Sequence, residues 1–249
     1  AAGLKFIYGL SLIGEELYFG GFKECTLSKY NLPSGEIETV AEIDPVEMYL
    51  RYIYPMGRKL VIGCGSHAKL YEYDLDNKEL KKFQLGSLEG KSGFVAHINQ
   101  VKHRVVAAIE AQNVVFVCDP NSHQLLKQFD GFSRFIVAED ELYLFNETGT
   151  FRYDWDQDEI ENISKEFTVG WKTMKALVTD EGVFLTRMTR NGEFSKLDLH
   201  TKQMTTIQLP LPATASLIQT IHETPAGKIY INGYQSGGLS VYDPHTGRS

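Results

Sequence analysis

Six copies of one turn, 35 to 45 residues apart, predict an all-β chain built of six units. Each unit carries short hydrophobic runs at strand spacing, and no segment shows a 3.6-residue apolar period. The expected fold is therefore a six-bladed β-propeller of four-stranded antiparallel blades, with helix content near zero. The turns read KYNLPSGEI, EYDLDNKEL, VCDPNSHQL, RYDWDQDEI, KLDLHTKQM and VYDPHTGRS. Their Asn or Asp falls at Asn31, Asp74, Asp119, Asp154, Asp198 and Asp243.

The turn has a local cause. An Asx side chain accepts backbone amides two residues on and nucleates a chain reversal. Four residues later stand Gly35, Lys78, His123, Asp158, Lys202 and Gly247; Gly there fits a left-handed conformation that closes a hairpin with a bulge, Asp and His tolerate it less well, and Lys less still. His123 and His245 are read as turn residues. Before each turn lies a hydrophobic run: EELYFGG, RKLVIGC, HRVVAAI, DELYLFN, GVFLTR and GKIYING. Another run precedes that one: LKFIYGLSLI, MYLRYIYPM, GFVAHINQV, SRFIVAE, TMKALVTD and SLIQTIHET. A fourth follows the turn, as in EIETVAEI, ELKKFQL and QLLKQF.

The units span about 1–40, 41–85, 86–129, 130–165, 166–209 and 210–249, read as one domain of a larger, multidomain protein. The sixth has three runs and no fourth. Either the segment is cut from a longer chain, or residues 1–6 lie along the last blade. Ring closure places the two termini in the same blade or in adjacent ones.

The repeated LYEYDLDNKEL and LSVYDPHTGRS resemble the units of bacterial YVTN-type and quinoprotein-like propellers, with their G-x-[IVL]-[YV] strand and YDPxTG hairpin. The resemblance covers all six units and implies fold rather than function. WD40 propellers differ by their Trp-Asp dipeptide; here YDWD at 153–156 belongs to a turn.

Composition narrows the function classes. The 249 residues are 43% hydrophobic and 12% aromatic, enough for a sizeable core. A net charge of −7 argues against nucleic acid, which calls for a basic face. No apolar run approaches the roughly 20 residues of a membrane helix. Three cysteines without a C-x-x-C or Cys/His spacing imply no metal centre and read as reduced, which favours a cytoplasmic location. Cys64 and Cys118 fall in strands, Cys25 in a loop. No catalytic motif and no cofactor motif is present.

Candidate binding residues come from the ring. The first strand of each blade lines the central channel, and alignment on the next strand brings Gly9, Tyr52, His97, Arg134, Lys175 and Thr220 into register. Their neighbours Leu10, Ile53, Ile98, Phe135, Ala176 and Ile221 are expected to pack between blades. Alternation then points the polar set to the channel, with His222 two residues further on. Arg134, Lys175 and His97 form a candidate anion site. The loop face offers His67 and Tyr234 with the aromatic Trp171, suited to a sugar or a peptide. The first reading is a non-catalytic binding or scaffold domain that takes a small anionic or carbohydrate-like ligand, or a protein partner. The alternative is a propeller enzyme of lyase or lactonase type, with its site at the channel mouth.

Overall fold

The computed structural model describes residues 6–166, 173–187, 193–209, 218–233 and 239–248. Among them there is no α-helix, only two 3₁₀ turns at Gly86–Leu88 and Glu110–Gln112. The chain divides into two compact units, Ala1–Phe135 and Ile136–Ser249.

The first unit holds three repeats. The first runs β1 Phe6–Ile13, β2 Glu16–Phe22, β3 Cys25–Asn31 and β4 Ile37–Asp44. The second runs β5 Tyr49–Met56, β6 Lys59–Gly65, β7 Lys69–Asp74 and β8 Leu80–Lys82. The third runs β9 Val95–Val101, β10 Arg104–Ile109, β11 Val114–Cys118 and β12 Leu125–Asp130. Three further sheets follow. They are β13 Arg134–Ala138 to β16 Glu159–Asn162 (with β14 Glu141–Asn146 and β15 Gly149–Asp154), and β17 Thr173–Thr179 to β20 Met204–Gln208 (with β18 Gly182–Arg187 and β19 Glu193–Leu197). The last is β21 Ile218–Glu223, β22 Ile229–Gly233 and β23 Leu239–Tyr242. Within a repeat, strands consecutive in sequence are sheet neighbours and pair antiparallel.

Six separate four-stranded sheets are not what forms. Among the described residues four sheets reach four or more strands, the first of them eight-stranded, and the fifth has three. The first two repeats fuse because Phe22 at the end of β2 pairs with Tyr49 at the start of β5. Glycine permits that approach: a Cβ on Gly20 would lie 2.5 Å from the Leu50 side chain.

All six turns close as their chemistry dictates. The Asx side chain accepts a backbone amide in each, from Ser34 to Asn31 and from Asp76, Asn121, Asp156, His200 and His245 to the five aspartates. The residue four positions on is left-handed every time, with φ from 55° at Lys78 to 74° at Gly35.

Strand alternation decides which neighbouring sheet a side chain meets. Leu60 and Ile62 pack on the first repeat, with Leu27 and Ile43, while Val61 between them packs on the third, with Val105 and Phe116. In the second unit Val183 and Leu185 join Tyr143 and Phe145, whereas Phe184 joins Ile229 and Ile231. Inter-sheet packing of this kind supplies the core.

Candidate functional site

The first strands carry a feature that two-residue alternation does not anticipate. In β1, β5, β9, β17 and β21 the pairing register slips at the same place, so that the register with the second strand skips Tyr8, Arg51, Ala96, Met174 and Gln219. These are β-bulges, which re-aim a side chain and break the period of two. They lie one residue before the aligned positions Gly9, Tyr52, His97, Lys175 and Thr220.

In the first unit, Tyr52, His97 and Arg134 of the polar set are engaged by neighbouring side chains. Tyr52 packs on the core shared with the third repeat, and burial pushes its phenol up to about 12. His97 is 5% exposed and stacks on Phe135, ring centroids 4.3 Å apart, with the Tyr52 ring tilted to it at 5.7 Å. Arg134 is partly buried and paired with Glu110 at 3.0 Å. Tyr52, His97 and Arg134 thus belong to one layer of the first unit, committed to ring contacts and a carboxylate. Leu10, expected between blades, is 38% exposed.

In the second unit Lys175 pairs with Thr186 through the backbone. His222 pairs with Tyr230, and burial lowers its pKa. Trp171 and Tyr234 lie outside the described residues. His67, in the β6–β7 connection, is 58% exposed, and its Nδ1 lies 3.2 Å from Glu47 Oε1.

Sequence reasoning missed the Asp44 and Glu47 carboxylates beside His67. The β2–β3, β4–β5 and β6–β7 connections meet at one end of the first unit, because Cys25 pairs with Asp44 and Tyr49 with both Phe22 and Gly65. Two layers of side chains form there. One is ionic and buried. Asp44 accepts hydrogen bonds from Lys69 at 2.7 Å, Tyr71 at 2.5 Å and the Val46 and Glu47 amides. Glu47 holds Lys69 at 3.1 Å and accepts the His67 backbone amide at 3.0 Å. Burial alone would raise the Asp44 pKa, but the bonds from Lys69, Tyr71 and the two amides outweigh it and hold the carboxyl well below its usual range. This layer ties the β4–β5 connection to the β6–β7 connection.

The other layer is aromatic and partly exposed. Tyr49 stacks on Phe22 at 4.7 Å, meets Phe94 edge-on at 4.9 Å and lies 6.0 Å from Tyr8. The Arg51 guanidinium sits 4.3 Å from the Tyr8 ring and 5.4 Å from the Phe94 ring. Among the described residues Arg51 has no ion pair, so rings and not a carboxylate hold it. A guanidinium resting on ring faces keeps its in-plane N–H donors for a planar acceptor. One signal was present in the sequence: Phe6, Tyr49 and Phe94 occupy the same position of the first three repeats.

Among the described residues no group of three His, Cys, Asp or Glu side chains could hold a metal ion, and no helix is long and apolar enough to cross a membrane.

No protein-family model matches the chain, and no curated protein matches it. Solved structures do. The WD40 β-propeller domain of Doa1 aligns over 95% of this chain and 77% of its own, at 14% identity and a TM-score of 0.69. Streptogramin B lyase aligns over 95% of this chain and 82% of its own, at 10% identity and a TM-score of 0.68. The extracellular domain of a putative hybrid two-component system from B. thetaiotaomicron aligns over 97% of this chain at 13% identity and a TM-score of 0.68. There the alignment covers 35% of that chain. Likeness at such identity shows the fold alone, and that fold is a β-propeller.

Proposed function

We propose that this chain is a non-catalytic binding domain of a multidomain protein, and that the loop end of its first unit takes a small anionic, carbohydrate-like ligand. The observation that carries the reading is Arg51. It stands on a bulge, bedded on Tyr8 and Phe94, with its charge uncompensated among the described residues. Flat rings cover the apolar face of a sugar at little entropic cost, and the guanidinium receives its carboxylate through paired hydrogen bonds. An acidic sugar satisfies both. His67 at the rim and the Asp44–Lys69–Glu47 layer beneath keep the connections in place.

The same reading counts the eight-stranded sheet as two blades, giving six of the YVTN or quinoprotein-like kind. The six turns support that count, since each closes one unit. The similar structures include the extracellular domain of a putative hybrid two-component system and a WD40 propeller domain, which fits a binding role. The test is a titration with a uronic-acid oligosaccharide and its neutral analogue at two salt concentrations. The acidic ligand should bind more tightly, and added salt should narrow the gap. Equal, salt-insensitive affinities would reject the reading.

A second reading, a lyase-type enzyme, rests on the His67–Glu47 pair. The carboxylate orients the exposed imidazole, an arrangement suited to a general base. Streptogramin B lyase is among the similar structures. Turnover of the bound ligand that disappears in His67→Gln would favour it over simple binding.

A further inference from the structure

Two of the three cysteines meet in the layer between the first two repeats. Cys25 opens β3, not a loop as the sequence suggested, and Cys64 stands next to last in β6. Their residues are 2% and 0% exposed, and the Cys25 Sγ donates to the Cys64 Sγ at 2.8 Å across 39 positions of sequence. We propose that Cys25 and Cys64 form a disulfide that staples the first repeat to the second.

The placement argues for it in three ways. The sulfurs stand inside ordinary van der Waals contact, and a small rotation of the side chains brings them to the bond length of about 2.05 Å. Cys118 offers no competing partner, because it lies in β11, in the core between the second and third repeats. The pair is packed among Leu27, Ile43, Leu50 and Ile62, with the buried Asp44 and Glu47 carboxylates nearby. Burial pushes the Cys64 thiol well up, which makes it a poor nucleophile once the core has closed.

Exchange therefore belongs to folding, while the strands are still accessible. One thiolate attacks an external disulfide oxidant, such as oxidised glutathione, and releases one thiol. The second thiolate attacks the protein sulfur of that mixed disulfide and releases the other thiol. Two electrons pass from the cysteines to the oxidant, and their two protons end on the released thiols or in solvent. Cys118 remains reduced. Under this proposal the chain matures in an oxidising compartment, against the reduced, cytoplasmic reading of its composition.

The test refolds the whole chain from denaturant in a glutathione redox buffer and, separately, in dithiothreitol. Thiols are counted under denaturing conditions, and non-reduced tryptic peptides are mapped by mass. Oxidised material should show one free thiol per chain and a linked pair of peptides bearing Cys25 and Cys64; reduced material should show all three thiols. A Cys118→Ser variant should keep the link and lose the remaining thiol. Three free thiols after oxidative refolding, or a link that includes Cys118, would overturn the proposal.

Discussion

Phe22 stacks on Tyr49 with ring centroids 4.7 Å apart, and the same two residues form the backbone pair that fuses the first two repeats into one sheet. The fusion holds β2 and β5 together at the end where Arg51 leaves its bulge. Tyr8, Phe22 and Tyr49 of the aromatic cradle therefore stand on strands of one sheet, with Phe94 just before β9, which favours a preorganised site.

Close approach of the second and third repeats depends on Gly63. A Cβ there would lie 2.2 Å from the Val95 carbonyl oxygen, so backbone and not a flexible side chain would have to move. Gly63→Ala should destabilise the protein by about 1–3 kcal/mol. Urea denaturation measures it; an unchanged midpoint would mean that β9 can retreat freely.

The repeat turns differ in how well their residues suit a left-handed backbone. Lys78 adopts φ 55° where Gly35 adopts 74° in the first repeat. Lys78→Gly should stabilise by about 1 kcal/mol, and Gly35→Ala should destabilise by a similar amount. Thermal unfolding of the two variants should move in opposite directions.

The ionic layer sets an acid limit. The folded pKa of Asp44 lies below its unfolded value of about 3.9, so its stabilisation is complete above that value. It is lost as pH falls from about 4 toward the folded pKa, because the unfolded chain then binds the extra proton. Asp44→Asn should be less stable than wild type at pH 7, and the gap should shrink steadily below pH 4. A gap independent of pH would show that the carboxylate charge does not matter there.

The turns were legible because their cause is local: an Asx oxygen, two amides and a left-handed residue lie within five positions. The strands were legible for the same reason, through hydrophobic runs between those turns. What escaped is tertiary. Which sheet faces Tyr52 or Val61 depends on neighbours that no single run encodes. A bulge at Arg51 leaves no mark on the pattern, so a strict period of two aimed Tyr52 and His97 at a channel when they pack between sheets. Cys25 read as a loop residue because its strand opens directly after the Lys23–Glu24 connection. The first two repeats share a sheet because Gly20 admits Leu50, a contact visible only once both strands are placed.

The central claim is that Arg51 receives the charge of an anionic ligand, and calorimetry of wild type against Arg51→Leu with one uronic-acid oligosaccharide tests it most directly. The variant should remain folded, since the side chain is partly exposed. It should lose about 1.5–3 kcal/mol, roughly 10- to 150-fold in Kd, for the acidic ligand, while affinity for the neutral analogue changes little. Equal affinity of both proteins for the acidic ligand would contradict the account.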